Sequence, residues 1–170
     1  MPDRRRLKLN NMANDIKIIW DDDLAEGDIQ FDNGDLVREP GLETAVLMSL
    51  YTDRLADIDD ILPDSQSDDR RGWWGDLINN TNDDQIGSRL WLLERATTTT
   101  ETLVDAKFYI EECLQWMIDD GVCQDIEVEV ERQNRDDGSA TLAAKISILK
   151  SDGTTTAIKF SDLWDAQIGE

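Results

Sequence analysis

Hydrophobic and polar positions divide this chain into segments of two different periods. Between Asp15 and Asp21, Ile16, Ile18 and Trp20 alternate with Lys17 and Ile19, which predicts a strand. In Gly27 to Val37, Ile29 and Phe31 precede Asn33-Gly34 and then Leu36, the pattern of a short hairpin closed by a two-residue type I′ turn. Pro40 is suited to open a helix, and Leu42, Val46, Leu47, Leu50 and Tyr51 recur at helical spacing to about Ala56. From Asp57 to Asn82 the periodicity fails. Pro63, paired aspartates and Gly72-Trp73-Trp74-Gly75 predict a long loop there, and loops of that length more often carry function than not.

Helical spacing resumes from Gln85 to Arg95 through Ile86, Leu90, Trp91 and Leu93, with Asp83 or Asp84 as the cap. Thr98 and Glu101 fit a capping box for a third, longer helix that runs to about Asp120 and stops at Gly121. Its core side is a stripe of Leu103, Ala106, Ile110, Cys113, Leu114 and Met117. Beyond it the period becomes two. Ile126, Val128 and Val130 alternate with Glu127, Glu129 and Glu131; Leu142, Ala144, Ile146 and Ile148 alternate with Ala143, Lys145 and Ser147; Thr156, Ile158 and Phe160 alternate with Ala157 and Lys159. Asp137-Gly138 and Asp152-Gly153 mark turns between these three strands, so an antiparallel meander with one wet face follows. The expected fold class is α+β: an N-terminal strand and short hairpin, three helices, and a C-terminal antiparallel three-stranded meander. Residues 15–170 form a single domain in this reading. Residues 1–14 are expected to be a disordered basic leader, with Met12 inside it as an alternative natural start.

Charge sharpens the picture. The 170 residues hold 17 basic and 38 acidic side chains and no histidine, a net charge of −21. Arg4, Arg5, Arg6 and Lys8 against Asp3 make the leader +3, whereas residues 15–125 carry eight basic and 28 acidic residues, net −20, and residues 126–160 are near neutral at −1. Such a field repels phosphates and anionic lipid, which argues against direct nucleic-acid or membrane binding. Without histidine there is no Ser-His-Asp or Cys-His nucleophile and no imidazole proton shuttle. The two cysteines, Cys113 and Cys123, make no disulfide framework, and no apolar run reaches 18 residues or forms a signal peptide, which fits synthesis in a reducing cytoplasm.

Candidate chemistry is sparse. Asp21-Asp22-Asp23 with Glu26 and Asp28 is acidic enough to suggest calcium, but the glycine and glutamate spacing of an EF-hand is missing, so no metal is expected. Among 38 carboxylates no pair is singled out for glycoside hydrolysis, and no phosphate-binding loop or nucleophile elbow occurs, so no catalytic residue and no cofactor are expected. Trp73-Trp74, bracketed by glycines and flanked by Arg71 and Asp76, is the most unusual local feature. Adjacent indoles in a loop cannot easily face the same way, and tryptophan and arginine dominate binding hot spots.

The string Arg71-Gly72-Trp73-Trp74-Gly75-Asp76, followed by Gly87-Ser88-Arg89-Leu90-Trp91-Leu92-Leu93 and then by a helix, Asp120-Gly121-Val122 and an alternating strand, resembles the gene-product-forty-six family of Mu-like phages over about Asp15 to Gly169. The resemblance implies a small α+β baseplate wedge protein of a contractile tail, related to a T-even wedge component and a type VI secretion counterpart, that helps start sheath polymerisation. Its partners would be other wedge proteins and the sheath protein, in multiple copies around the tail axis, and its place the virion baseplate after synthesis in the host cytoplasm. The wider family's Glu-Pro-Arg motif is replaced here by Asp119-Asp120-Gly121-Val122-Cys123. Interface candidates are Arg71, Trp73, Trp74 and Asp76 in the loop, and Glu127, Glu129, Lys145, Ser147 and Lys159 on the final sheet, where an open edge suits strand addition. The alternative drawn from the charge alone is an acidic DNA mimic that inhibits a nucleic-acid-binding enzyme.

Overall fold

The computed structural model describes residues 15–21, 26–39, 42–78, 85–97, 99–134, 140–160 and 165–166. The basic leader, Pro40, the Asp83-Asp84 cap, Thr98 and the Asp137-Gly138 turn lie outside them. The chain divides into two compact units, residues 1–47 and 48–170.

In the first unit the alternating stretch is two strands, β1 (Asp15–Ile16) and β2 (Ile18–Asp21). They are followed by β3 (Glu26–Ile29), β4 (Phe31–Asp32), β5 (Asp35–Leu36) and β6 (Arg38–Glu39). Antiparallel pairing joins β1 to β6, β2 to β3 and β4 to β5. Positive φ at both Asn33 (50°) and Gly34 (84°) gives the expected type I′ turn. The break at Lys17 is structural: its N–H donates to the Val37 carbonyl, its carbonyl accepts from Gln30, and Val37 N–H donates to the Gln30 carbonyl, so three pairs meet at one point. Thr44 fixes that break from the first helix, its hydroxyl donating to the Ile16 carbonyl and accepting from the Ile18 N–H.

That helix, α1 (Glu43–Tyr51), is shorter than its periodicity predicts. It stops because the next residues pair elsewhere: Ser88 N–H donates to the Thr52 carbonyl, Arg54 N–H donates to the Ser88 carbonyl, and Asp53 and Ser88 form a parallel bridge. The same pairing removes the second expected helix, so the described residues hold two α-helices where the sequence predicts three. At Gly87 the backbone takes φ +101°, and a Cβ there would collide with the Thr52 carbonyl, a conformation no helix allows. Only one 3-10 turn, Leu90–Leu93, survives, held by the Ser88 hydroxyl accepting from Leu90 N–H. All four of its side chains are buried, so helical spacing reflected burial on every side.

The long helix α2 (Thr100–Asp119) is capped by Thr99, one residue later than expected, whose hydroxyl accepts from Thr102 N–H. Its C-terminus is a Schellman motif, with Gly121 N–H donating to Ile118 and Val122 N–H to Met117. One tight turn therefore delivers the chain into β7 (Cys123–Asn134), followed by β8 (Ala140–Lys150), β9 (Thr155–Phe160) and β10 (Asp165–Ala166). β8 is central: β7 runs along one side, and β9 and β10 share the other. The meander is antiparallel as expected. Ile110, Leu114 and Met117 of α2 are fully buried, as are Leu142, Ile146 and Ile148 of β8 and, nearly so, Val128 of β7. Each such side chain contributes about 1.5–3 kcal/mol through its removal from water. The wet face begins only at Lys145, since Thr141 and Ala143, which share it, are buried.

Candidate functional site

The loop after α1 is tied down at several points. Ala56 N–H donates to the Arg70 carbonyl, and the Arg70 guanidinium returns a hydrogen bond to the Asp57 carbonyl. Arg71, held at φ +46° by Asp69 accepting from its N–H, reaches Asp53 at 2.7 Å and Glu94 at 2.9 Å. Its guanidinium lies 4.9 Å above the Trp91 ring, whose indole N–H donates to the Arg54 carbonyl. Burial pulls the Arg71 pKa down, but hydrogen bonding and attraction to Asp53 and then Glu94 outweigh it and leave it raised. Arg71 is thus a cation engaged within its own fold.

Trp73 and Trp74 follow, the second opening a 3-10 turn over Trp74–Leu77. The two rings stand 5.4 Å apart and tilted by 43°, with Trp73 40% and Trp74 68% exposed. Gly75 permits this arrangement, because a Cβ on it would run into the Trp73 ring. Asp76 turns inward, one carboxylate oxygen accepting from Ile86 N–H at 3.4 Å. The structure brings these four candidates together in one loop and presents mainly the indoles to solvent.

Sequence reasoning missed Arg89 as a site residue. Only 8% exposed, it binds Glu112 through two parallel hydrogen bonds of 2.9 and 3.0 Å and meets Asp57 at 2.8 Å and Asp60 at 3.0 Å. The guanidinium also stacks 5.0 Å from the Tyr109 ring centre and 6.0 Å from that of Phe108. Burial lowers its pKa, and the hydrogen bonds it donates to Glu112 and Asp60 reverse that strongly, so it stays charged. An arginine beside an apolar run, opposite an aspartate-rich loop, is the signal that could have found it.

On the sheet, Glu127 faces Ser147 across one rung, and Glu129, Lys145 and Lys159 form the next. Glu129 and Lys145 pair at 2.6 Å, which lowers the carboxylate pKa and raises that of the ammonium. A shallow groove of about 490 Å³ runs over this rung, lined by Glu131, Gln133 and Phe160 beside it. Both cysteines are buried, and burial pushes both thiols up, making them inert packing groups. Among the described residues no three His, Cys, Asp or Glu side chains gather to hold a metal ion.

Residues 42–155 match the model of the family described as Phage protein GP46. The chain belongs to the GP46 family. It is 41% identical over 146 residues to a protein of Escherichia phage Mu named baseplate protein gp46, covering 86% of this chain and 94% of the Mu protein. It is also 31% identical over 150 residues to the Mu-like prophage FluMu protein gp46 of Haemophilus influenzae, covering 88% and 97%. The family match runs from the residue before α1 to the first residue of β9, so the arginine clusters, the tryptophan loop, α2 and the β7–β8 pair all fall inside GP46, while β1 to β6 precede it.

Proposed function

We propose that this GP46 protein is a structural, non-enzymatic component of the baseplate of a Mu-like contractile tail: a wedge protein that binds other wedge proteins and starts the sheath by strand addition. The observation that carries this reading is the identity to a named baseplate protein along nearly all of that protein's length. Physical support comes from β7, a 12-residue strand whose only described partner is β8, so that one row of its backbone groups is available to another chain. Glu127, Glu129 and Glu131 along it would restrict pairing to a specific partner. Trp73 and Trp74 serve as the anchor toward a neighbouring wedge protein. Deleting the gene from an inducible prophage should yield baseplates without sheath, restored by the wild-type gene in trans. Normal sheath on particles lacking the protein would sink the reading.

A further inference from the structure

The buried Arg89 organises a surface that neither the tryptophan loop nor the sheet includes. Asp57 and Asp60, both bonded to it, close a tight turn in which Asp60 N–H donates to the Asp57 carbonyl and Asp57 N–H to the Asp60 carboxylate. Ile58 sits within that turn and Ile61 just beyond it, 95% and 89% exposed. Across the same guanidinium lies Phe108 of α2, exposed, with exposed Val104 one helical turn before it on the same side. Leu62 and Tyr109, by contrast, pack inward on Ala56, Trp91 and Leu92. The fold thus packs two of these six apolar groups inward and leaves four large ones in water around one hub. Large apolar side chains exposed on both sides of one bonded guanidinium suit an interaction site.

The rim says what covers it. Asp57, Asp59 and Asp105 are exposed beside the patch, and Asp60, Asp105 and Glu112 all act on Tyr109 beneath it. The cation at its centre is already bound by three carboxylates, and Lys107, the one nearby lysine on α2, is paired with Glu111. A second copy would bring the same acidic rim and another −21 charges, so like would face like. We propose that the 57–61 turn with Val104 and Phe108 is a docking surface for a lysine- or arginine-rich segment of a different baseplate chain. That segment inserts apolar side chains between Ile58, Ile61 and Phe108 and sets its charges against Asp57, Asp59 and Asp105. The proposal rests on the baseplate reading.

The test places the photo-crosslinker p-benzoylphenylalanine at position 58 and, separately, at 108, in protein supplied to prophage lacking the gene, and identifies adducts in purified baseplates by mass spectrometry. Both positions should join one net-positive segment of another chain. In parallel, Ile58→Asp with Ile61→Asp should leave the melting of the isolated protein unchanged and lower its incorporation into baseplates at least tenfold. Adducts to a second copy or to an acidic or uncharged segment overturn the surface, and so does incorporation without adducts at either position. Absence of the wild-type chain from purified baseplates overturns the baseplate reading and the surface together.

Discussion

A single arginine shows how local chemistry fixes this protein's loops. Removing Arg89 leaves half-buried Glu112 with only the more distant Arg54 and half-buried Asp60 with only the Asp57 N–H, while Asp57 recovers water; the cost expected in urea unfolding of Arg89→Ala is about 2–3 kcal/mol, below the figure for a fully buried pair because these carboxylates keep partial solvation and partners. Arg89→Lys should rescue only part of it, since a point charge cannot reproduce the two parallel bonds to Glu112. Gly87→Ala is expected to cost about 3 kcal/mol or more, because positive-φ strain adds to a collision with backbone rather than with a movable side chain. Both residues stand in the sequence string that carried the family resemblance, yet their work was invisible there. A sequence shows that Gly87-Ser88-Arg89 is followed by apolar residues; it does not show that Ser88 pairs with residues 35 positions away or that Arg89 meets a helix and a loop at once.

Elements with a clean local period were legible, and those governed by distant partners were not. The α2 stripe and the final meander each follow from a repeat that burial enforces, and the Asn33-Gly34 turn from two adjacent residues that accept positive φ. The segment at Leu90–Leu93 mimics helical spacing because all its side chains are buried, and backbone pairing at Ser88 overrides it. Within the sheet, the central place of β8 decides what a proline does. Ser147→Pro should abolish cooperative unfolding, because β8 has a partner on both sides and every lost N–H there breaks a ladder. On β7, Glu129→Pro and Val130→Pro remove N–H groups that point to opposite sides. One should melt much lower by circular dichroism, and the other, near wild type in stability, should block sheath growth on baseplates. Normal sheath from the stable variant would rule out strand addition through β7.

At the scale of the whole molecule, recognition depends on where the charge is spent. Arg71 and Arg89 are neutralised within the fold, and Arg70 is turned onto the Asp57 carbonyl, so the aspartates of residues 57–69 leave that surface acidic on balance. Association with the basic partners proposed above should therefore weaken as salt shortens the screening length from about 10 Å at 0.1 M to about 3 Å at 1 M, whereas the contacts proposed at Trp74 should persist. Trp74→Ala is expected to cost about 2 kcal/mol or more of binding, measured by calorimetry against the proposed neighbouring baseplate protein, with the monomer's unfolding unchanged. The β7–β8 ladder has one more consequence. Eleven residue pairs join these strands, and the Schellman turn couples β7 directly to the fully buried face of α2. A pull along β7 loads all those rungs in shear at the same moment instead of opening them one by one like a zipper. Rupture then requires the whole ladder and the helix beneath it to yield together, which suits the anchor point proposed here, where a sudden axial stroke would have to be survived.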